Sequence, residues 1–593
     1  MRLHLTFALI TALALYLTLR TPHGHHFGFA QVDEMARHLA ASKYAPPPDV
    51  LPPQLKKLTP QQDQGIFSKE TARLWRKKGL PFQVDFYPQL NSNPLPHIAP
   101  SFQYVDAKGS HPLPYSESFF NFLDLSTNPP GRLNFYPPLP ANLGYAGFYV
   151  RYPNMGIGSN QTSLDGFFSV MGGSYFRALA KEQDYGLSGR GIAIDPCVVD
   201  KQNKQKPEEF PLFISWWLHE PDANSTALTM DALLDGPSVT GAYEFVIRPG
   251  AVTSVDVHAS LYFRNPVQQL GLAPFSSMYL FGENAKDHFG DNVHPEIHDS
   301  DGVLINTSGG EWIWNPLAQS NDPNANPGAP KGMQLQIHRF YDNNPHGFGL
   351  IQRDRDFAHY QDLNMKYNVR PSAWVTPHGN WGKGAVTLFN HPSNDFNTDN
   401  IVLIWEPATP VKAGDHLDVS YTIDFYMNDA NRPPLAYAKE TLINCPAPPP
   451  PEAAPLASKP FVGPPLPPKL AQVKTGTVTP GSKPPGPPPP APPPAPVQPP
   501  IPIGTVPVQF IVDFVGDGIE NIPANEKPDI DLTYGPQGTY LREKSVEKNG
   551  YDKSWRVTFT IIPLKHFTPT DIRCRLMRNN RPITETWSYT WHQ

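Results

Sequence analysis

The chain is poor in cysteine, in positive charge, in helical periodicity and in long apolar runs. Each shortage excludes a class of protein. Cys197, Cys445 and Cys574 are its only cysteines. Three thiols cannot build a disulfide framework, and one must stay unpaired in a monomer. None sits in a Cys-x-x-Cys or beside a histidine in a nucleophile-like motif, so cysteine catalysis is not expected. A net charge of −6 leaves no basic footprint, and no nucleic acid is expected as a partner. Beyond residue 19 no stretch holds the roughly eighteen uninterrupted apolar residues that a membrane-spanning helix needs.

That opening stretch reads as an export signal. Arg2 and His4 precede an apolar run over 5–19, and a break at Thr21-Pro-His-Gly24 follows. Phe29-Ala30 before Gln31 is the expected cleavage point, the alternative being an uncleaved anchor. No twin arginine is present, so an ordinary secretory route is expected.

Proline is abundant instead, with 73 in 593 residues. In the segment 446–502 it accounts for 25 of 57 positions. Proline fixes φ and removes a donor, so this run predicts an extended polyproline spacer rather than a sheet or helix. Fully extended it would reach on the order of 180 Å, at ~3.1 Å per residue. The expected division is therefore a signal over 1–30, a large unit over 31–444, a linker over 445–504 and a small unit over 505–593.

Both folded units predict β-sheet. In 416–428, Leu417, Val419, Tyr421, Ile423 and Phe425 share one face, with Asp418, Ser420, Thr422 and Asp424 on the other. The segment 253–264 alternates likewise. Further strands are expected at 213–218, 243–247, 333–340 and 401–405, and helices only at 32–42 and 68–76. Without βαβ alternation this predicts a large antiparallel sandwich. Downstream, segments 508–514, 529–534, 540–547, 555–562, 571–577 and 583–591 fit a small immunoglobulin-like sandwich, although the Cys…Trp…Cys spacing of true immunoglobulins is missing.

Chemistry concentrates in His294-Pro-Glu-Ile-His-Asp-Ser-Asp-Gly302 and in Gly310-Glu-Trp-Ile-Trp-Asn-Pro316 just after it. Carboxylates move protons at glycosidic bonds, and tryptophan faces cover sugar rings. The first motif has three readings: His294, Glu296 and His298 on one strand face as metal ligands, Asp299-Ser-Asp-Gly302 as an ordinary turn, or Asp299 or Asp301 aimed into a groove. The tract 344–405 adds interleaved arginines, acids and aromatics. From it and its neighbour, Trp312, Trp314, Arg353, Arg355, Tyr360, Trp381 and Lys383 are the expected sugar-binding residues. Trp374 and Trp405 have simple core packing as their alternative, which is favoured for Trp405 inside its apolar strand.

These residues carry a specific resemblance. Gly173-Ser-Tyr-Phe-Arg177, 185–195, Thr240-Gly-Ala-Tyr243, 273–282, Glu296-Ile-His-Asp-Ser300, 310–316, 370–374, 381–384 and Glu585-Thr-Trp-Ser-Tyr589 resemble the OpgG/OpgD (MdoG/MdoD) family of periplasmic glucan biosynthesis proteins. The likeness spans about 31–440 and 505–593. It implies an all-β fold, a large mutarotase-like sandwich followed by an immunoglobulin-like domain, and a periplasmic location. It implies action on β-1,2-glucan as an inverting endo-glucanase. A glucan-binding scaffold with little activity, or a cyclising or branching transglycosylase, is the alternative. Carried over to this sequence, Asp399 in the Thr-Asp-Asn turn is the general acid and Asp299 the general base. No metal or other cofactor is implied, and the inner-membrane glucan synthase is a further candidate partner. Two departures stand out: Phe396 occupies a position often acidic in the family, and Asn315 one often held by arginine.

Overall fold

A computed structural model describes residues 27–592 apart from 94–95, 161, 199–205, 286–287, 320–334, 430–431, 445–506, 517, 537–538 and 564–568. The expected linker and most of the expected signal thus lie outside the described residues, as does Cys445. Cys197 and Cys574 are both buried free thiols.

Two large sheets face one another. One runs in the order Gln83–Tyr87, Gly147–Pro153, Leu164–Met171, Tyr175–Ala178, Ser188–Arg190, Leu270–Ser277, Ile401–Pro407, Lys383–Asn390 and Gln336–Asn343. The other is longer and includes Gly302–Asn306, Gly347–Ile351, Ser372–His378, His416–Tyr426, Val252–Phe263 and Val239–Arg248 as successive neighbours. The expected alternation fixes which face turns inward. Val255, Val257, Ala259, Leu261 and Phe263 are all buried in the core between the sheets, with Tyr421, Ile423 and Phe425 beside them. A slip of one residue would turn that whole set to solvent, so the pattern sets the register. Trp405 is fully buried in the same core, as expected for a packing residue.

The small C-terminal sandwich is fused to this body rather than merely tethered to it. Its strand Thr586–Trp591 pairs in parallel with Trp312–Pro316, matching Ile313 to Thr586 and Trp314 to Trp587. Its other sheet begins before the proline-rich segment, because Tyr437–Asn444 pairs with Val508–Val515 along their lengths. A boundary at 444 therefore falls at the end of the small unit's first strand, not ahead of that unit.

One local expectation fails. The segment 68–76 is not a helix: it holds the 3-10 turns Glu70–Ala72 and Arg76–Lys78, split where Trp75 takes φ 65°. Trp75 is buried there and Arg73 is drawn to Asp85 at 3.1 Å, so tertiary contacts override helical spacing. At the other end, Ala30 lies inside the helix Phe29–Ala40, which buries Val32, Met35 and Ala36 at helical spacing. Phe27 stacks on Trp217 at 5.2 Å, so the folded body already includes residues ahead of the expected cleavage point. No helix among the described residues is long and apolar enough to cross a membrane.

Candidate functional site

Asp299 and Asp399 arrive from opposite sheets. Asp299 follows the short strand Ile297–His298 and leads into Gly302–Asn306 of the longer sheet. Asp399 ends the turn that leads into Ile401–Pro407 of the other. Asp299 is 5% exposed, and its N–H donates to Met278 O at 2.8 Å. Beside it, the buried hydroxyls of Ser277 and Ser300 lie 2.8 Å apart and tie the two segments together.

Each carboxylate faces an arginine. Arg370 Nη1 stands 3.1 Å from Asp299 Oδ1, an ion pair without hydrogen-bond alignment. Pro371 pushes Arg370 out of the helical region, and its φ of −68° and ψ of 146° end the 3-10 turn Tyr367–Val369. The guanidinium is then held by Met365 O, at 3.0 Å from Nε and 2.7 Å from Nη2, and lies over the Tyr367 ring. Arg177, on Tyr175–Ala178, places Nη2 3.7 Å from Asp399 Oδ2 while its Nε donates to Ser188 Oγ at 2.8 Å.

Burial pushes both aspartates above the usual carboxylate range. For Asp299, Arg370 opposes that shift while the charge of Asp399 adds to it. For Asp399, burial is opposed by Arg177, Arg370 and Arg190. Asp399 thus acts on Asp299, and both carboxylates feel Arg177 and Arg370.

The remaining acids of the motif do something else. His294 pairs with Asp291 at 2.7 Å in its own turn, so His294, Glu296 and His298 do not form the strand face that the metal reading required. Glu296, His298 and Asp301 converge instead, with donor atoms within 4.8 Å, and Glu296 forms a second such trio with Asp354 and His359. His298 Nε2 stands 2.8 Å from Glu296, while its Nδ1 faces Gln352 Oε1 at 3.1 Å. Gln352 is oriented by its Nε2, which donates to His298 O, Tyr360 OH and Tyr367 O. Burial alone would lower the His298 pKa, but Asp301 and Glu296 outweigh it and raise the value to about 9. The raised value places an imidazolium between the Glu296 and Asp301 carboxylates, 2.8 and 3.5 Å away.

The expected sugar-binding residues are not gathered around the aspartates. Trp312 stacks on Trp374 at 5.5 Å, and Trp314 is buried at the seam with the small sandwich. Arg353 lies 3.6 Å over the Trp314 ring and forks onto Glu585 at 2.6 and 2.8 Å, so its charge joins the domains. Arg355 donates to the carbonyls of Asn368, Arg370 and Met427 and braces the segment that carries Arg370. Tyr360 is fully buried, edge-on to His298. Trp381 packs against Phe348, Trp405 and Tyr421, and Lys383 is exposed on the strand Lys383–Asn390. An alternation of charged and aromatic residues does not separate a ligand groove from a domain seam, since both need flat rings and forked cations. A cavity of about 460 Å³ at that seam, lined by Glu283, Glu296, Asp301, Trp314, Arg353 and His359, is distinct from the Asp299–Asp399 pair.

Sequence reasoning missed Arg177, Arg370 and Asn400 as site residues. Both arginines stood in segments already matched to the family, Gly173-Ser-Tyr-Phe-Arg177 and 370–374.

Comparison with known proteins gives the family of the chain. The family model for the periplasmic glucan biosynthesis protein MdoG matches residues 27–457 and 500–591. Glucans biosynthesis protein G of Sodalis glossinidius (strain morsitans) is 34% identical over 575 residues, covering 97% of this chain and 94% of the relative. The chain belongs to the MdoG family of periplasmic glucan biosynthesis proteins.

Proposed function

We propose that the protein works in the periplasm on β-1,2-glucan as an inverting endo-glucanase, with Asp399 as general acid and Asp299 as general base. The observation that carries this reading is the meeting of two carboxylates from opposite sheets, each facing its own arginine. Asp399 donates its proton to the departing glycosidic oxygen as the C1–O bond breaks. A water, or a short chain of waters, gives a proton to Asp299 as its oxygen bonds C1 from the opposite face. Such a water requires carboxyl groups roughly 6.5 Å or more apart. Arg370 stands nearer to Asp299 than Arg177 does to Asp399, and is the better buried of the two arginines. The family resemblance gives the acid role to Asp399 and the base role to Asp299.

Incubation of the purified protein with linear β-1,2-glucan, followed by mass analysis, tests the reading. Shorter chains that have gained one water support hydrolysis. Rings or branched products without added water would instead indicate transfer to a sugar hydroxyl. A second reading, a glucan-binding scaffold serving the inner-membrane glucan synthase, is favoured by one feature. Phe396, 48% exposed three residues before Asp399, stands where relatives often carry an acid. Saturable binding of the glucan with no product would establish that reading.

A further inference from the structure

The segment between Asn390 and Ile401 contains neither helix nor strand, yet it delivers Asp399 to a fixed place. The ladder between Leu270–Ser277 and Ile401–Pro407 ends with Ser277 opposite Ile401. Beyond that point the carboxamide of Asn400 continues the pairing. Tyr279 N–H donates to Asn400 Oδ1 at 2.9 Å, and Asn400 Nδ2 donates to Tyr279 O at 3.0 Å. The same Nδ2 donates to His391 O at 2.9 Å, and His391 N–H returns a bond to Asn400 O at 2.9 Å. A carboxamide has the donor and acceptor of a peptide group, so this side chain imitates one more strand residue. The main chain is thereby released at residue 399 while the turn stays closed.

What the carboxamide grips is decisive. The peptide group joining Met278 to Tyr279 accepts the Asp299 N–H through its carbonyl at 2.8 Å. Through its N–H it donates to Asn400 Oδ1. One rigid plane therefore links the residue that bears one carboxylate to the neighbour of the other. Asn400 is 4% exposed, and every polar atom of its carboxamide is used.

We infer that Asn400 is a positioning residue that sets the spacing between Asp299 and Asp399. The inference rests on the catalytic reading above for its kinetic consequence, but not for its geometry. An inverting reaction needs a carboxyl spacing that admits the attacking water, and a misplacement near 1 Å costs on the order of a hundredfold in rate. Asn400→Asp keeps the shape and the acceptor for Tyr279 N–H but sets a carboxylate against the carbonyls of Tyr279 and His391. Asn400→Ala removes all three bonds.

The test compares both variants with wild type, as full chains, by crystallography and by initial rates on linear β-1,2-glucan. The expected structural result is an Asp399 carboxylate moved by about an ångström or more relative to Asp299, with the flanking strands superimposed. The expected kinetic result is a kcat lower by roughly a hundredfold with KM within about twofold of wild type. Unchanged spacing, or unchanged kcat in an active enzyme, overturns the inference. Failure of both variants to fold also overturns it, since Asn400 would then be a general structural residue. If wild type itself releases no product, the glucanase reading falls, and the crystallographic spacing alone decides the role of Asn400.

Discussion

Asp299 and Asp301 stand two residues apart in one turn, yet their surroundings differ in kind. Asp301 Oδ2 accepts the backbone N–H groups of Arg353 and Asp354, and its Oδ1 stands 3.5 Å from the His298 imidazole. Every part of that carboxylate has a partner from its own fold. Asp299 Oδ1 is buried with a guanidinium nearby but without an aligned hydrogen bond. A buried polar atom left short of partners is costly, and it persists where a ligand or a water completes it. The contrast separates a carboxylate fully engaged by its own fold from one left short of hydrogen-bond partners.

The sharpest way to break that contrast is to neutralise each side in turn. Asp399→Asn is expected to lower turnover of β-1,2-glucan by about a thousandfold while the melting temperature stays near wild type. Initial rates and calorimetry together check it. Loss of stability in place of activity would move this pair into the structural class.

The seam should behave in the opposite way. Arg353→Ala leaves Glu585, which is fully buried, without its cation. A destabilisation of about 3–5 kcal/mol is expected from denaturant titration, with kcat of the folded fraction unchanged. A large fall in kcat instead would return Arg353 to the ligand groove.

The His298 cluster gives a pH signature of intermediate size. Its folded pKa of about 9 lies above the ordinary 6.5, so the folded state binds its proton more tightly than the unfolded state. The resulting stabilisation is fully present below about pH 6.5 and is lost as pH rises toward 9. Unfolding midpoints measured across that range should fall in wild type and flatten in His298→Gln. Parallel curves for the two proteins would remove the imidazolium from the account.

Arg177→Ala should have the smallest effect. Arg177 opposes the upward shift of the Asp399 pKa, so its loss should let that value rise further. The alkaline limb of the pH–rate profile, where the acid ionises, should then move to higher pH. A shift to lower pH would mean that the arginine does not act through Asp399.

Much of the fold was legible because strand alternation is a local signal. Residues 416–428 and 253–264 needed only their own spacing, and the core received the face they offered. The pair Asp299 and Asp399 was named from turn motifs and family likeness. Its supports were not. Arg370 reaches Asp299 only because Pro371 and the turn before it aim the side chain, and Asn400 acts through a peptide group 121 residues away in sequence. The same limit explains Trp314 and Arg353: their composition suits a sugar groove, but Glu585 and Trp587, far along the chain, turn them into a seam.

The most direct measurement is the anomeric form of the first product released from linear β-1,2-glucan, followed by proton NMR before mutarotation. The α-anomer is expected from wild type, and release about a thousandfold slower from Asp399→Asn. A β-anomer, or cleavage by Asp399→Asn at the wild-type rate, would contradict the catalytic reading.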